Sequence, residues 1–160
     1  IDVTAVNDRP TMAGPASITV TEDVASPLTG ISLADVDAGT GIDTINFSVG
    51  SGTVSATASG GVTVGGSGTS SLTFNGTVAA LNTFISGGNV RYTTALNATA
   101  PVVLTALAND NGYTGGASQQ SVAVTVTLNV TAVNDAPSAI AQSVTTAEDT
   151  ARAITLAGTP

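Results

Sequence analysis

Four residue types are missing from the chain: cysteine, histidine, tryptophan and lysine. Without cysteine, no disulfide can hold the fold together. Without lysine, the lysine–asparagine isopeptide bond that some surface fibres use is excluded. Histidine and cysteine are the side chains most often used as general base and strong nucleophile, and no serine lies in a nucleophile elbow. The sequence therefore predicts a protein that is not an enzyme.

Aromatic and basic residues are scarce. Aromatic residues make up 3% of the 160 residues, so no platform exists to hold a sugar beside paired carboxylates, as a glycosidase would need. Three arginines are opposed by 11 acids, for a net charge of −8. Nucleic acid would be repelled, because its binding requires basic patches. No stretch approaches the ~20 apolar residues of a membrane helix, so no membrane span is predicted in this segment.

One eight-residue segment occurs twice. Residues 3–10 read VTAVNDRP and residues 130–137 read VTAVNDAP, so seven of eight positions agree at a separation of 127 residues. An acidic pair follows each copy, Glu22-Asp23 after the first and Glu148-Asp149 after the second. This recurrence predicts a tandem array in which neighbouring repeats of the same chain are the partners. The predicted parts are the last strand of a preceding repeat at 1–8, one complete repeat at 9–135, and the incomplete start of the next at 136–160.

Strand-like alternation dominates the complete repeat. Across residues 119–133, apolar residues alternate with polar or small ones, which is typical of a strand with one buried face. Glycine-rich turns separate many further short segments, a pattern typical of a β-sandwich. The other predicted strands are 16–21, 28–33, 43–49, 53–58, 61–65, 70–75, 89–94 and 101–108.

A single segment has helical spacing. Apolar residues at Val78, Leu81 and Phe84 recur every three residues, Thr77 precedes them as a candidate N-cap, and glycines follow from Gly87. We predict one short helix over 77–86 that packs on the core.

The acidic residues are clustered. Nine of the eleven fall at six places, and only Asp2 and Asp43 lie elsewhere. Calcium takes six to eight hard oxygen ligands, which carboxylates, amides and loop carbonyls supply. Carboxylates gathered at one end of a sandwich would repel one another, and a divalent ion would remove that cost. The candidate ligands are Asn7, Asp8, Glu22, Asp23, Asp35, Asp37, Asp110, Asn134, Asp135 and Glu148.

We expect these residues to form two Ca²⁺ sites, one at each joint between repeats. Their affinity should be weak, about 10⁻⁴–10⁻³ M, as in extracellular modules. The first site is predicted to combine Asp8, Glu22, Asp35 and Asp37 with ligands from the preceding repeat. The second is predicted to combine Asp110, Asn134, Asp135 and Glu148.

With these motifs, the chain resembles cadherin and the cadherin-like tandem repeats of giant bacterial surface adhesins, including those exported with RTX tails. The segments 72–84 and 90–93 also resemble the strand–helix–strand of such repeats. The resemblance implies an Ig/cadherin-like Greek-key sandwich with calcium between domains. It assigns ligand roles to Glu22, Asp35, Asp37 and the Asn7-Asp8 joint, and to Asn134-Asp135 with Glu148.

Two features depart from that pattern. Residues 156–160 read LAGTP where residues 33–37 read LADVD, so the second joint either lacks the Asp-x-Asp ligands or has them beyond residue 160. The Gly-Gly-x-Gly-x-Asp nonapeptide of the RTX calcium roll is absent.

The leading functional hypothesis is structural. We expect a non-catalytic extender repeat of a large secreted or cell-surface adhesin or fibre, extracellular on a bacterium and associated with cell adhesion and biofilm. Two alternatives remain open at this point. The sandwich could bind a glycan or a protein through its loops, for which the Ser/Gly-rich segment 50–70 would offer a polar face. It could also be a filament subunit that exchanges strands with other copies, because unpaired edges invite another chain.

Overall fold

The structure is a computed structural model and describes residues 2–159. It is built mainly of β-strands. Among residues 2–159, no helix has the length and apolar character that a membrane crossing requires. In chain order the elements are β1 (Thr11–Ala13), β2 (Ser17–Thr21), β3 (Ser26–Pro27), β4 (Ser32–Ala34), β5 (Asp43–Val49), β6 (Thr53–Ser55), β7 (Thr63–Gly65), β8 (Ser71–Gly76), α1 (Val78–Ser86), β9 (Arg91–Thr93), β10 (Val102–Asn109), β11 (Val124–Thr131), β12 (Ser138–Ala139) and β13 (Gly158–Thr159).

The strands form two main sheets. One has six strands in the order β2-β11-β10-β5-β8-β7, and the other has three in the order β3-β9-β6. Two short pairs, β1-β4 and β12-β13, stand apart from them. Within the six-stranded sheet, β2 and β11 are parallel and the other neighbours are antiparallel. The predicted all-β fold with one short helix is confirmed, and the arrangement is consistent with a sandwich.

Alternation along the central strands creates the core. In β5, the residues Asp43, Ile45, Phe47 and Val49 are buried, while the residues between them are half-buried. This is the period of two that a pleated strand imposes. The same core receives Val54 and Tyr92 from the three-stranded sheet and the apolar face of α1. One continuous apolar cluster therefore joins both sheets and the helix.

The helix is held at its start and along its length. The Thr77 side chain accepts a hydrogen bond from the Ala80 N–H at 3.3 Å, and Gly87 is the C-cap. Asn82 accepts from the Leu33 N–H at 2.9 Å and donates to the Leu33 carbonyl at 2.8 Å. The predicted helix is confirmed. Because Asn82 satisfies both backbone groups of Leu33, α1 fixes the strand that leads into the Asp35 loop.

Two predicted strands need correction. The strand expected at 28–33 is interrupted, and the structure has β3 before it and β4 at its end. Gly30 has φ +80, a left-handed conformation that breaks an extended strand. The strand expected at 119–133 is regular only over β11; its first residues lie beside β10 through a single bridge between Asn109 and Gln120.

The acidic turn after β2 recurs near the end of the chain. Asp23 has φ 55 and Asp149 has φ 57. The Val24 N–H donates to the Thr21 carbonyl, and the Thr150 N–H donates to the Ala147 carbonyl in the same way. Residues 138–158 are otherwise exposed. The turn is therefore encoded by its own few residues, without a sandwich around it.

The three phenylalanines give a direct test of the core. The Phe74 ring centroid lies 5.0 Å from that of Phe47 and 6.1 Å from that of Phe84. Phe74→Ala should lower the free energy of unfolding by about 3–5 kcal/mol, because it leaves a cavity between the sheet and the helix. Val103→Ala, on the exposed face of β10, is the control and should change it by under about 0.5 kcal/mol. Urea unfolding measures both, and similar midpoints for the two variants would contradict this core.

Candidate metal sites at the two poles

The acidic residues gather at the two ends of the strands, which we call the N-terminal pole and the C-terminal pole. Because β2 and β11 are parallel, with Ser17 opposite Thr127 and Thr21 opposite Thr131, both strands end at the same pole. β10 is antiparallel to β11 and ends at the opposite pole. The N-terminal pole carries Asn7, Asp8, Asp35, Asp37, Asp43 and Asp110, and the C-terminal pole carries Glu22, Asp23 and Asp135.

Three carboxylates meet at the C-terminal pole. One oxygen each from Glu22, Asp23 and Asp135 lies within 4.8 Å of the others. Glu22 is only 2% exposed, and its Oε2 accepts a hydrogen bond from the Val133 N–H at 2.9 Å. Its own N–H donates to the Thr131 carbonyl at 3.0 Å. Glu22 thus ties the outgoing joint segment to the end of β2.

The turn after Glu22 is fixed by a threonine. The Thr94 hydroxyl accepts a hydrogen bond from the Asp23 N–H at 2.9 Å and lies 3.4 Å from Asp23 Oδ1 as a donor. Thr94 is buried, so this contact anchors the left-handed turn to the end of β9. A cavity of about 500 Å³ opens beside the carboxylates. Its polar lining consists of Glu22, Asn97, Thr99, Asn134 and Asp135.

At the N-terminal pole, the incoming joint is held by the Asp-x-Asp loop. The Asp8 N–H donates to Asp37 Oδ2 at 3.0 Å, and the Asp37 N–H donates to Asp35 Oδ1 at 3.3 Å. The Thr114 hydroxyl donates to the Asp37 carbonyl at 2.6 Å. Asp35 and Asp37 are half-buried. Successive hydrogen bonds therefore connect the joint segment to the Asp-x-Asp loop and form the outer layer of this pole.

Asp110 forms the centre of an inner layer and is fully hydrogen-bonded. Its Oδ1 accepts from the N–H groups of Gly112 and Gln119, and its Oδ2 accepts from the Asn7 amide at 2.8 Å. Burial alone would raise the pKa of Asp110, but these hydrogen bonds outweigh it and lower that pKa. Asn7 is itself buried, and its carbonyl accepts from the Gln119 amide. The joint residue Asn7 is thus built into the pole.

Asp43 has the opposite environment. The register that pairs Asn109 with Thr44 places Asp43 opposite Asp110 on the inward face. Asp43 is fully buried, and neither of its carboxylate oxygens has a hydrogen-bond partner. Burial, together with the charges of Asp35, Asp110 and Asp37, raises its pKa to about 6. Like charges directly opposite one another destabilise a strand pair. Ionisation of Asp43 would therefore destabilise the folded protein.

The predicted ligand groups are partly wrong. Glu22 was expected beside Asp8 but lies at the opposite pole, because the parallel pairing of β2 with β11 carries it there. Asp110 was expected beside Asp135 but contacts Asn7, because β10 runs antiparallel to β11. Glu148 is exposed and lies outside the group of three carboxylates found among the described residues. The joint segments and the Asp-x-Asp loop do lie beside acidic side chains, and their role as metal ligands stays a prediction.

Asp43 was missed, although a signal for it was present. The segment 43–49 was predicted as a strand, and alternation assigns Asp43 to the face of Ile45 and Phe47. An aspartate on the apolar face of a strand is unusual enough to mark a site, since buried charges are normally paired or bind metals. It was not chosen as a candidate ligand because it lies outside the acidic clusters of the sequence.

Comparison with protein-family models, with curated proteins and with solved structures finds no match to this chain. The resemblance to cadherin-like repeats therefore stays a prediction that depends on the quoted motifs. The chemistry of both poles is that of hard oxygen donors, and these favour calcium or magnesium over softer metals.

The raised pKa of Asp43 predicts that the folded protein becomes less stable as the pH rises through the acidic range. The folded pKa of about 6 exceeds the ordinary 3.8, so the folded state holds this proton more tightly than the unfolded state. In chelator, the free energy of unfolding should fall between about pH 4 and pH 6, by at most about 3 kcal/mol from this group. Asp43→Asn should remove that fall, and the exposed control Asp2→Asn should keep it. Denaturant titrations across this range measure it, and equal pH profiles for the two variants would contradict the assignment.

Proposed function

We propose that the chain is a non-catalytic extender repeat of a large secreted or cell-surface adhesin or fibre, in which calcium stiffens the joints between repeats. One observation carries the proposal. The two copies of the repeated joint segment lie at opposite poles, and each is held against acidic side chains, Asn7 and Asp8 at one pole and Val133 and Asp135 at the other.

Because the joint segment recurs, each joint of an array would bring together the two kinds of pole. Asn134 and Asp135 occupy the positions of Asn7 and Asp8 in the recurring segment. In an array, each joint segment would contact the C-terminal pole of the repeat before it and the N-terminal pole of the repeat after it. A complete joint would then gather Glu22 and Asp23 of one repeat, the joint aspartate, and the Asp-x-Asp loop of the next.

Such a joint needs a cation. Its carboxylates would face one another across a few ångströms, and their repulsion would push consecutive repeats apart. Calcium accepts six to eight oxygens in flexible geometry, whereas magnesium demands a near-ideal octahedron and keeps its waters. A joint that mixes carboxylates, an asparagine amide and loop carbonyls from two repeats suits calcium better.

The mechanical role follows from the shortness of the joint. Pro10 and Pro137 fix φ and restrict the residue before them, so the segment is not a flexible tether. Asn7 is buried in the repeat that follows it. Ions bridging the joint to the preceding repeat would remove most of the remaining freedom and produce a stiff rod that holds a distal binding domain away from the cell.

We also propose that the sandwich is of the Greek-key, cadherin-like type. Its support is the parallel pairing of the first long strand, β2, with the last, β11, which lets the chain enter at one pole and leave at the other. An end-to-end array requires that arrangement.

The glycan- or protein-binding alternative has one feature in its favour. A polar groove of about 310 Å³ lies partly on the Ser/Gly-rich segment. None of its lining residues is aromatic, and the Arg91 guanidinium is already hydrogen-bonded to the Ala25 carbonyl. The extender role is therefore preferred. The groove is lined by Ser55, Ala56, Thr57, Ser67, Gly87, Gly88, Asn89 and Arg91.

A chain of residues 1–135 followed by residues 9–160, in which residues 9–135 occur twice in tandem, tests the role of calcium at the joint. At calcium one hundred times above the dissociation constant, binding should stabilise the native protein by about 2.7 kcal/mol, seen as a rise in melting temperature over the chelated protein. Asp135→Asn at the joint should remove most of that rise, because it deletes a carboxylate shared by both repeats. Asp2→Asn is the matched control. An equal calcium-dependent rise in both variants would overturn the proposal.

A further inference from the structure

The two copies of the joint segment differ in how far they are covered. In the first copy, Asn7 is 6% exposed and Pro10 is buried, whereas the matching Asn134 and Pro137 of the second copy are exposed. The residue types are the same, so the difference arises from what lies beside each copy. The first copy lies against the N-terminal pole, and the second lies against the C-terminal pole.

A glycine-rich loop covers the first copy. Residues 112–117, which follow β10 and read GYTGGA, are called the glycine loop below. Gly115 has φ +67, and a β-carbon on it would clash with the Ala5 carbonyl. A β-carbon on Gly116 would lie 2.9 Å from that of Asn7. Two successive glycines therefore let the loop backbone touch the joint backbone.

Hydrogen bonds between neutral groups fix the same contact. The Asn7 amide donates to the Ala117 carbonyl at 3.1 Å, and the Gln119 amide donates to the Asn7 carbonyl at 2.7 Å. The joint residues that the loop contacts recur in the second copy as Ala132 and Asn134. The second copy therefore carries the features that a glycine loop recognises.

The second copy borders an open space instead of a loop. The cavity of about 500 Å³ at the C-terminal pole is lined by joint residues 132–135 and, from the turn after β9, by Asn97 and Thr99. Asn97 and Thr99 are both exposed. The glycine loop carries no charged residue, so its entry would add no repulsion to the acidic pole.

The two poles use different groups of the joint. The N-terminal pole binds the Asn7 side chain, the Asn7 carbonyl and the Asp8 N–H. The C-terminal pole binds the Val133 N–H through Glu22. The valine is also covered on that side, since Val6 is 73% exposed and Val133 is 43% exposed. No donor or acceptor is used twice, so two repeats can hold one joint at the same time.

The spacing of these contacts brings the two poles together. Val133 is held by the repeat that it leaves, and Asn134, the next residue, has the position that the following repeat holds in the first copy. One residue spans at most about 3.6 Å. No free linker therefore remains between consecutive repeats of an array.

We propose that the glycine loop of each repeat docks in the C-terminal cavity of the repeat before it. The partner is a second copy of this repeat, next along the same chain. The loop would lie over Ala132 and Asn134 as it lies over Ala5 and Asn7, and would cover Thr99 of the preceding repeat. The inference rests on the tandem array of the proposed function, whereas the contact itself involves no metal.

Thiol labelling tests the docking. The chain has no cysteine, so Thr99→Cys places a single thiol in the cavity. It is compared between the present chain and the tandem chain of residues 1–135 followed by residues 9–160, where only the first repeat is substituted. In calcium, the thiol should react about tenfold or more slowly in the tandem chain, because labelling then requires the loop to open. Thr57→Cys, in the exposed polar groove, is the control and should react equally in both chains.

Equal labelling rates of Thr99→Cys in the two chains would overturn the proposal. Gly115→Ala in the second repeat of the tandem chain should bring that rate close to the rate in the present chain, because the loop can no longer approach the joint. The same substitution in the first repeat should leave the thiol slow, since that loop covers residues 5–7. If Gly115→Ala prevents folding, Gln119→Ala at its half-buried position must show the same difference between repeats.

The docking and the calcium of the joint are judged by separate results. Labelling is repeated with chelator in about 1 M sodium chloride, where a Debye length of about 3 Å screens the carboxylates, and the thiol of the tandem chain should again be slow. Slow labelling in salt without a calcium-dependent rise in melting temperature would support docking and contradict calcium stiffening. A calcium-dependent rise with fast labelling in both conditions would support calcium stiffening and overturn docking.

Discussion

The parallel pairing of β2 with β11 determines at which end of the strands the acidic residues lie. It is the one parallel contact in the six-stranded sheet, and it makes both strands end at the C-terminal pole. Glu22 follows β2 and Val133 follows β11, so the two meet and hydrogen-bond there. The loops after β4 and β10 are left at the other pole with the incoming joint. Entry and exit at opposite ends are what a linear array needs.

The two poles differ in how their charges are balanced. At the N-terminal pole, Asp110 has its charge stabilised by backbone and amide donors, whereas Asp43 opposite it has none. At the C-terminal pole, Glu22 is buried but uses one oxygen to bind the joint backbone. The other two carboxylates of the C-terminal pole, Asp23 and Asp135, are exposed, so within residues 2–159 the buried carboxylate oxygens without a partner lie at the N-terminal pole. The hydrogen-bonded acids hold the two joint segments in place.

The local features of the fold could be predicted from the sequence because each depends on neighbouring residues. The predicted strands 43–49 and 101–108 correspond to β5 and β10, the alternating segment 119–133 contains all of β11, and the spacing of Leu81 and Phe84 identified α1. Strand limits were missed where one backbone conformation decides, as at Gly30. The acidic turn at Glu22-Asp23 recurs with nearly the same φ at Glu148-Asp149, which shows how locally it is encoded.

The grouping of the site residues could not be predicted in the same way. The sequence marks the candidate acids, but assigning each to a pole requires the direction in which strands pair. A parallel or antiparallel partner for β2 moves Glu22 from one end of the molecule to the other. Asp43 needed one further step, since its burial follows from alternation but its proximity to Asp110 depends on the register between β5 and β10.

Small-angle scattering of a chain with residues 9–135 duplicated in tandem tests the central claim most directly, that cations convert acidic joints into a stiff connection. With calcium, the account predicts a single extended shape with a maximum dimension close to twice that of one repeat. After chelation, the same chain should give a broader distribution of distances and a smaller average radius of gyration, because the joint keeps only its proline and loses its crosslink. Identical scattering profiles in calcium and in chelator would contradict the account.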